Sequence, residues 1–386
     1  MLKRYLLAPG PTPVPAEVLL AMAQPIIHHR TPQFSSIFRR AADGCRRLFG
    51  TEQPVFMLAA TGTGGMEAAV TNTLSPGDHV VVVDAGKFGE RWAEISSTYG
   101  LEVTTVTVEW GSAVDPRRVA EILEANADVK AVLVQASETS TTVLHPIAEL
   151  AALTRDRECL LVVDGITSVG VVDLPMDATG IDVLVTGSQK ALMLPPGLAL
   201  VGLSEKAWRF HESATLPRYY FDLARERKAL DQDTSAYTPA VSMIIGLNAV
   251  FDVIERSGGL DEVYRRHAIL AEATRAGLEA LELRLLAPEA PSPATTGVWL
   301  PDGIDGGKLG KHLRDVMGVT VAGGQGKLKG KVVRLAHIGY ADTFDVIVGL
   351  SALEIALAGF GHPVRFGAGT AAAQEVLKRS FEPSAS

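Results

Sequence analysis

Thiols are scarce in this chain. Cys45 and Cys159 are the only cysteines in 386 residues, which excludes a disulfide framework and offers no metal-ligand spacing. Cys45 lies in a helical pattern and Cys159 opens an apolar run, so both are expected as buried, inert side chains. Basic charge is also in the minority. With 36 Lys and Arg against 44 Asp and Glu the net charge is −8, which argues against a nucleic-acid partner. No apolar run reaches the roughly 20 residues of a membrane span. The best candidate, Val346 to Phe360, carries Glu354. The apolar stretch before Pro9-Gly10 is too short for a signal peptide, and Ser384-Ala385-Ser386 is not a peroxisomal address. A cytoplasmic protein with no membrane or nucleic-acid partner and no metal is the expectation.

What is present reads as a globular α/β chain, with 47% apolar and 21% charged residues. Its length favours two domains. Pro9, Pro11, Pro13 and Pro15 make residues 1–18 an extended arm, which could lie across a neighbouring subunit, cover a site or be a surface tail. From residue 55 to 204 apolar strand-like runs alternate with helical patterns. The runs are continuous rather than alternating, so both sheet faces are covered and the sheet is mostly parallel. This predicts a large domain over 19–250. After it, helical stretches and three short strand signals predict a smaller C-terminal α+β domain over 251–366. The small, polar composition of 367–386 leaves the order of that tail open.

In such a fold functional loops gather at the C-terminal strand ends. That rule brings together Thr61-Gly62-Thr63, Asp84 to Phe88, Ser137 to Thr142, Asp164 and Lys190. The loop Thr61-Gly62-Thr63-Gly64-Gly65 follows a strand and opens a helix, as an anion site does. It is neither a Walker loop nor a dinucleotide fingerprint, because no Gly-Lys-Ser/Thr follows and Glu67 holds the last glycine position. An ordinary tight connection has the same appearance. Asp164 closes the run Leu160-Leu161-Val162-Val163, as a helix cap, a Mg²⁺ ligand or a cofactor partner would. Lys190 follows the next strand and precedes Ala191-Leu192-Met193-Leu194, and apolar flanks suit a lysine of lowered pKa. An amine and a buried carboxylate are what chemistry on pyridoxal phosphate requires: the amine joins the aldehyde and the carboxylate keeps the pyridine nitrogen protonated.

From Ala8-Pro9-Gly10-Pro11 to about His362 the chain resembles the class V, fold-type I aminotransferases. It is most similar to their alanine–glyoxylate, serine–glyoxylate and serine–pyruvate branch. The resemblance rests on an ordered series: Ala8-Pro9-Gly10-Pro11, His29-Arg30-Thr31-Pro32, Thr61-Gly62-Thr63-Gly64-Gly65, Glu138-Thr139-Ser140-Thr141, Val163-Asp164-Gly165, Ser188-Gln189-Lys190 and Val333-Arg334. It implies pyridoxal 5'-phosphate as cofactor, with Lys190 as the Schiff-base lysine and proton shuttle and Asp164 at the pyridine nitrogen. Thr139 would bond near the ring hydroxyl, and Thr63, Gly64, Gly65 and Gln189 would surround the phosphate. Thr238 would reach the phosphate of a neighbouring subunit's cofactor, so a homodimer with shared sites is implied. Arg334 would fork onto the substrate carboxylate, beside Gly10. Phe88 stands where some relatives stack a tryptophan on the ring, and Gly65 where some have a histidine.

The activity implied is ping-pong transfer of an amino group from a small amino acid, alanine or serine, to a 2-oxo acid, glyoxylate or pyruvate. A cysteine desulfurase of the same fold needs a late reactive cysteine, and none follows Cys159. A relative acting on a phosphonate or ureido amine, a lyase, and a non-catalytic cofactor-binding subunit of a larger complex stay open.

Overall fold

The structure, a computed structural model, describes residues 2–381. Its strands are β1 (Tyr5–Leu7), β2 (Val55–Leu58), β3 (His79–Asp84), β4 (Glu102–Thr107), β5 (Ala131–Gln135), β6 (Ser137–Glu138), β7 (Val143–Leu144), β8 (Leu160–Asp164), β9 (Val183–Gly187), β10 (Ala199–Leu203), β11 (Thr295–Trp299), β12 (Val319–Gly323) and β13 (Val332–Ala336).

Seven of them form the large sheet in the order β2-β10-β9-β8-β5-β3-β4. Only β10 runs against its neighbours; the other pairings are parallel. The expected mostly parallel sheet is therefore present. Its central strands are apolar on both faces. Val81, Val83, Val132, Val134, Leu161 and Val163 point to one side, where the helices Pro32–Phe49 and Val241–Arg256 cover them. Val80, Val82, Leu133, Val162 and Val185 point to the other and meet the helices Gly62–Thr73 and Lys87–Thr98. Successive residues alternate faces, and burial on both explains the continuous valine and leucine runs.

Helix starts follow side-chain chemistry. Thr31, Asp115, Ser204, Asp222 and Asp305 each accept an amide of the first turn, and Asp342 with Asp345 forms a capping box. Thr61 caps with no side-chain bond, which leaves the first amides of Gly62–Thr73 open toward the sheet edge.

The smaller sheet has the order β1-β12-β13-β11, so the N-terminal arm contributes an edge strand to the C-terminal half of the chain. Leu7 joins the small core of Leu270, Leu278, Val333, Leu335, Leu350 and Leu357. Both expected limits of the large domain fall inside helices. Residue 18 lies within Ala16–Met22, and residue 250 within Val241–Arg256, whose Phe251 and Ile254 belong to the large core. The next helix, Gly259–Ala280, carries the change: Val263 packs with the large core and Ile269 to Leu278 with the small one. The first part of the tail forms a helix, Ala368–Leu377, and Glu354 accepts the amides of Gly367 and Gly369 at its start. Residues 382–386 lie outside the described residues.

That helix crosses Gly259–Ala280 at a pair of glycines. A Cβ on Gly277 would stand 2.8 Å from the Gly369 carbonyl oxygen and 2.4 Å from Leu350. Alanine at position 277 would favour the helix by about 1 kcal/mol. The backbone of the partner helix cannot yield as a side-chain tip can, so overpacking of about 1–3 kcal/mol outweighs that gain. Gly277→Ala should lower the unfolding free energy in urea; an unchanged or raised midpoint would show that the crossing is looser than this.

Candidate functional site

Five loops at the C-terminal edge of the large sheet converge on one small pocket. It is lined by residues that include Thr61, Gly62 and Thr63 after β2, Phe88 and Arg91 after β3, and Ser137 and Thr139 after β5. Asp164, Ile166 and Thr167 come from the end of β8, and Gln189 and Lys190 from the end of β9.

Lys190 and Asp164, distant in sequence, face this common space. The Lys190 Nζ donates to the Pro9 carbonyl at 2.6 Å. Burial lowers its pKa to about 8; the Asp164 carboxylate opposes that shift, and Arg334 and Arg91 add to it. Asp164 is 5% exposed. Burial raises its pKa to about 7, against the hydrogen bond from the Ile166 amide and with the charge of Glu138. That amide reaches Oδ1 at 2.8 Å and leaves the second oxygen without a protein hydrogen bond.

The anion-site end of the pocket is the open helix start at Thr61 to Gly64. Thr63 Oγ1 accepts from Arg91 Nη1 at 3.1 Å. Gly64 packs against Ala60 and Phe221 rather than lining the pocket. Gly65 turns away from it. Its Cα faces the sheet, where a Cβ would stand 2.6 Å from Val185, and its amide bonds to the Thr61 carbonyl. Its smallness serves helix-on-sheet packing, a different use from the one the motif suggests. Gln189 lines the pocket with its Oε1 buried and unpartnered.

Thr139 is buried with its Oγ1 2.8 Å from Thr167 Oγ1. The Thr167 hydroxyl donates to the Ser137 carbonyl, so Thr139 donates to Thr167 and keeps lone pairs for another donor. Arg334 lies outside the pocket lining and is 4% exposed. Its Nη1 donates to the Thr139 carbonyl at 2.7 Å, and Nε and Nη2 donate to the Gly323 carbonyl at 3.1 and 2.9 Å. One N–H remains on each terminal nitrogen. Burial lowers its pKa to about 10, opposed by the charge of Glu138.

Gly10 lies against the lysine. It has φ +141°, and a Cβ there would fall 2.5 Å from Lys190 Nζ. Thr238 is exposed, in the loop before Val241–Arg256, and is not part of this chain's pocket.

Two charged residues were not singled out by sequence. Arg91 lies one helical turn after Phe88, with its guanidinium 4.9 Å from the Phe88 ring centre. That spacing is the one local sign of it. Glu138 is fully buried. It accepts the amides of Phe88 at 3.0 Å, Gly89 at 3.2 Å and Ser140 at 3.0 Å, and also the Ser140 hydroxyl. A lone acid within the buried stretch 136–143 was its signal. The cysteines are buried as expected, and burial raises both thiol pKa values. Among the described residues no group of three or more His, Cys, Asp or Glu could hold a metal, and no helix is long and apolar enough to cross a membrane.

Burying Asp164 has a consequence for stability. Unfolded, it titrates near 4; folded and free of any cofactor, near 7. Between those values the folded state holds a proton that the unfolded state has lost, so stability falls as pH rises from about 4 to about 7. In cofactor-free protein, Asp164→Asn should remove this part of the slope and be the more stable form above pH 7. Urea unfolding across that range tests it; identical slopes for the two proteins would mean Asp164 is well solvated.

The sequence profile of the family described as Aminotransferase class-V matches residues 4–337. The chain is 40% identical over 380 residues to the "soluble hydrogenase 42 kDa subunit" of Anabaena cylindrica, covering 97% of this chain and 99% of that one. It is 39% identical over 379 residues to the L-aspartate–glyoxylate aminotransferase of Paracoccus denitrificans, covering 96% of each. Among solved structures it matches ureidoglycine-glyoxylate aminotransferase from Bacillus subtilis with a TM-score of 0.93 at 28% identity, covering 98% of this chain and 99% of that one. With an amine and a carboxylate facing one pocket beside an open helix start, and with this extent of similarity, the chain belongs to the class V aminotransferases and is a pyridoxal 5'-phosphate enzyme of fold-type I.

Proposed function

We propose that this aminotransferase moves the amino group of a small amino acid, alanine or serine, to a 2-oxo acid, with glyoxylate preferred over pyruvate. The observation that carries the proposal is the placement of Lys190, Asp164 and the anion-site helix start around one pocket, with Arg334 behind it. Glyoxylate is named for both the Paracoccus relative and the Bacillus structure, which supports it as acceptor. Their donors differ. A small donor is supported by the Pro9 carbonyl, 2.6 Å from Lys190 Nζ, and by the walls of Phe88 and Ile166.

The residues present fit the cofactor. The open amides at Thr61 to Gly64, with Thr63 Oγ1 and Gln189, suit a phosphate. The free oxygen of Asp164 suits a protonated ring nitrogen, whose charge would draw the carboxyl back to its ionised form. Phe88 offers a ring face and the Thr139 lone pairs suit the ring hydroxyl. When bound, the cofactor supplies a carbonyl carbon for the amino group and a ring that accepts the electron pair left at Cα. Lys190 Nζ, its pKa lowered to about 8, takes and returns the proton at the substrate Cα near neutral pH. Arg334 holds the α-carboxylate with its two remaining N–H groups, so that the carboxylate replaces solvent in a buried place. Gly10 leaves room for the lysine to move.

We further propose that two chains pair, each lending Thr238 to the other's phosphate. Leu20, Ile26 and Tyr219 are exposed, at 66%, 76% and 67%, and burial of apolar surface of this kind would favour pairing. Sedimentation equilibrium should give twice the chain mass; a monomer that retains full activity would end this part of the proposal. The name of the Anabaena relative raises a non-catalytic role, and the intact set of amine, carboxylate and guanidinium favours catalysis.

Two measurements test the proposal. Mixed with single amino acids, the purified protein should convert its cofactor spectrum with alanine or serine and regain it with glyoxylate. Conversion by neither would refute the donor assignment, and no conversion by any amino acid would refute transamination. In the same titration, Arg334→Lys should need roughly tenfold or more donor for half-conversion, because a point charge cannot reproduce the guanidinium fork. Equal titration curves would place the carboxylate elsewhere.

A further inference from the structure

Arg91 lines the pocket and has no role in the proposal above. Its guanidinium is held at two points. Nη1 donates to Thr63 Oγ1 at 3.1 Å, and the group lies over the Phe88 ring at 4.9 Å. Its charge is felt by both Asp164 and Lys190. Among the described residues no carboxylate pairs with it in a salt bridge. A cation without a carboxylate partner, at the rim of an open helix start, suits a ligand that brings its own negative charge.

The Thr63 hydroxyl shows how the charge is passed on. A threonine oxygen has one proton to give and lone pairs to receive. Arg91 occupies a lone pair as donor, so the Thr63 proton cannot be directed at Arg91 and is free for an acceptor in the pocket. The nearest amides, those of Gly62, Thr63 and Gly64, are themselves donors. The Thr63 proton and these three amides thus point to one multiply charged acceptor. The loop Thr61-Gly62-Thr63-Gly64-Gly65 has no lysine or arginine of its own.

We infer that Arg91 is a positioning residue for the cofactor's phosphate, acting through Thr63: it turns the Thr63 hydroxyl proton toward the phosphate and supplies the fixed positive charge that the glycine loop lacks. The inference rests on the phosphate seat proposed at Thr61 to Gly64. It makes Arg91 selective for the phosphate end of the cofactor, whereas a role through Phe88 would act on the ring.

The test compares three ligands on the full-length protein freed of cofactor: pyridoxal 5'-phosphate, pyridoxal without phosphate, and inorganic phosphate as a competitor. Wild type should bind the phosphorylated form far more tightly than pyridoxal, and inorganic phosphate should compete with it. Arg91→Leu should weaken pyridoxal 5'-phosphate and inorganic phosphate by roughly ten- to a hundredfold, as expected for a lost charge-assisted hydrogen bond, with pyridoxal changed less than about threefold. In a Thr63→Val background, the same substitution should cost clearly less than it does alone, because the hydroxyl through which it acts is gone and only the charge remains to be lost. Arg91→Lys, the milder change, should show a smaller loss with the same selectivity and serves if the leucine variant does not fold. Equal weakening of pyridoxal and its phosphate would overturn the inference, as would additive losses in the double variant. If phosphate affinity is intact and only dicarboxylic donors convert more slowly, Arg91 faces the substrate side chain and the inference is likewise overturned. A wild-type protein that does not distinguish pyridoxal from its phosphate would bring down the phosphate seat itself.

Discussion

The electrostatic constraint on which this molecule turns is the burial of a lysine and an aspartate in one small space. Each is costly there alone, since removing a charge from water without a partner disfavours it strongly. The shifts of Lys190 downward and Asp164 upward express that cost, and each charge partly offsets the other. The arrangement suits a cofactor that brings complementary groups to both ends. An amine with a pKa of about 8 is free base about a tenth of the time at pH 7, far more than a solvated lysine. A carboxyl with a pKa of about 7 ionises readily once a positive group is brought beside it. The apo protein therefore holds unfavourable energy that cofactor binding releases.

Holding the two groups in place falls to the sheet edge and to one further acid. β8 and β9 are parallel neighbours, so Asp164 at the end of one and Lys190 beyond the end of the other are brought to the same side. Glu138 fastens the remaining loops. Its carboxylate gathers the amides of Phe88 and Gly89 from after β3 and that of Ser140 from its own turn. Gly86 is needed beside it, since a Cβ there would stand 2.6 Å from the Glu138 carboxyl carbon. The small domain is tied to this edge by Arg334, which bonds the Thr139 carbonyl, and by the arm. Residues 5–7 of the arm belong to the small sheet, and Pro9 and Thr12 touch Lys190.

How much of this could be read from the chain follows the range of the interactions. The large sheet was legible because a strand covered on both faces leaves a continuous apolar run. A polar residue ending that run, Asp84 or Asp164, marks the strand's end. The Lys190 and Asp164 pairing was legible for the same reason, since a parallel sheet sends such ends to one edge. Gly65 shows the limit of motif grouping. A glycine in a phosphate-like loop looks the same whether its missing side chain makes room for a ligand or for Val185. The domain limits at 18 and 250 fell inside helices because composition changes more gradually than packing does. Pro9 could not be found, because a backbone carbonyl that accepts from a lysine has no side-chain signature.

Arg91 and Glu138 were hidden in different ways, and the contrast bears on how such a site is specified. An arginine on a helix is ordinarily a solvated surface residue. Only its phase, one turn beyond Phe88, gives it away. Glu138 stood in a recognisable motif, but two of its partners, the Phe88 and Gly89 amides, lie some fifty residues back, across a strand crossover that only the folded sheet creates. Both act on groups that touch the pocket and not in the pocket's chemistry itself. Glu138 fixes where the Phe88 loop runs, and Arg91 fixes which way the Thr63 hydroxyl points. A lysine, an aspartate and a glycine loop are enough to suggest the chemistry. Their orientation is fixed by a buried acid and a half-buried base whose bonds reach across the sheet edge, so two chains could share the first set and differ in the precision with which they hold their cofactor.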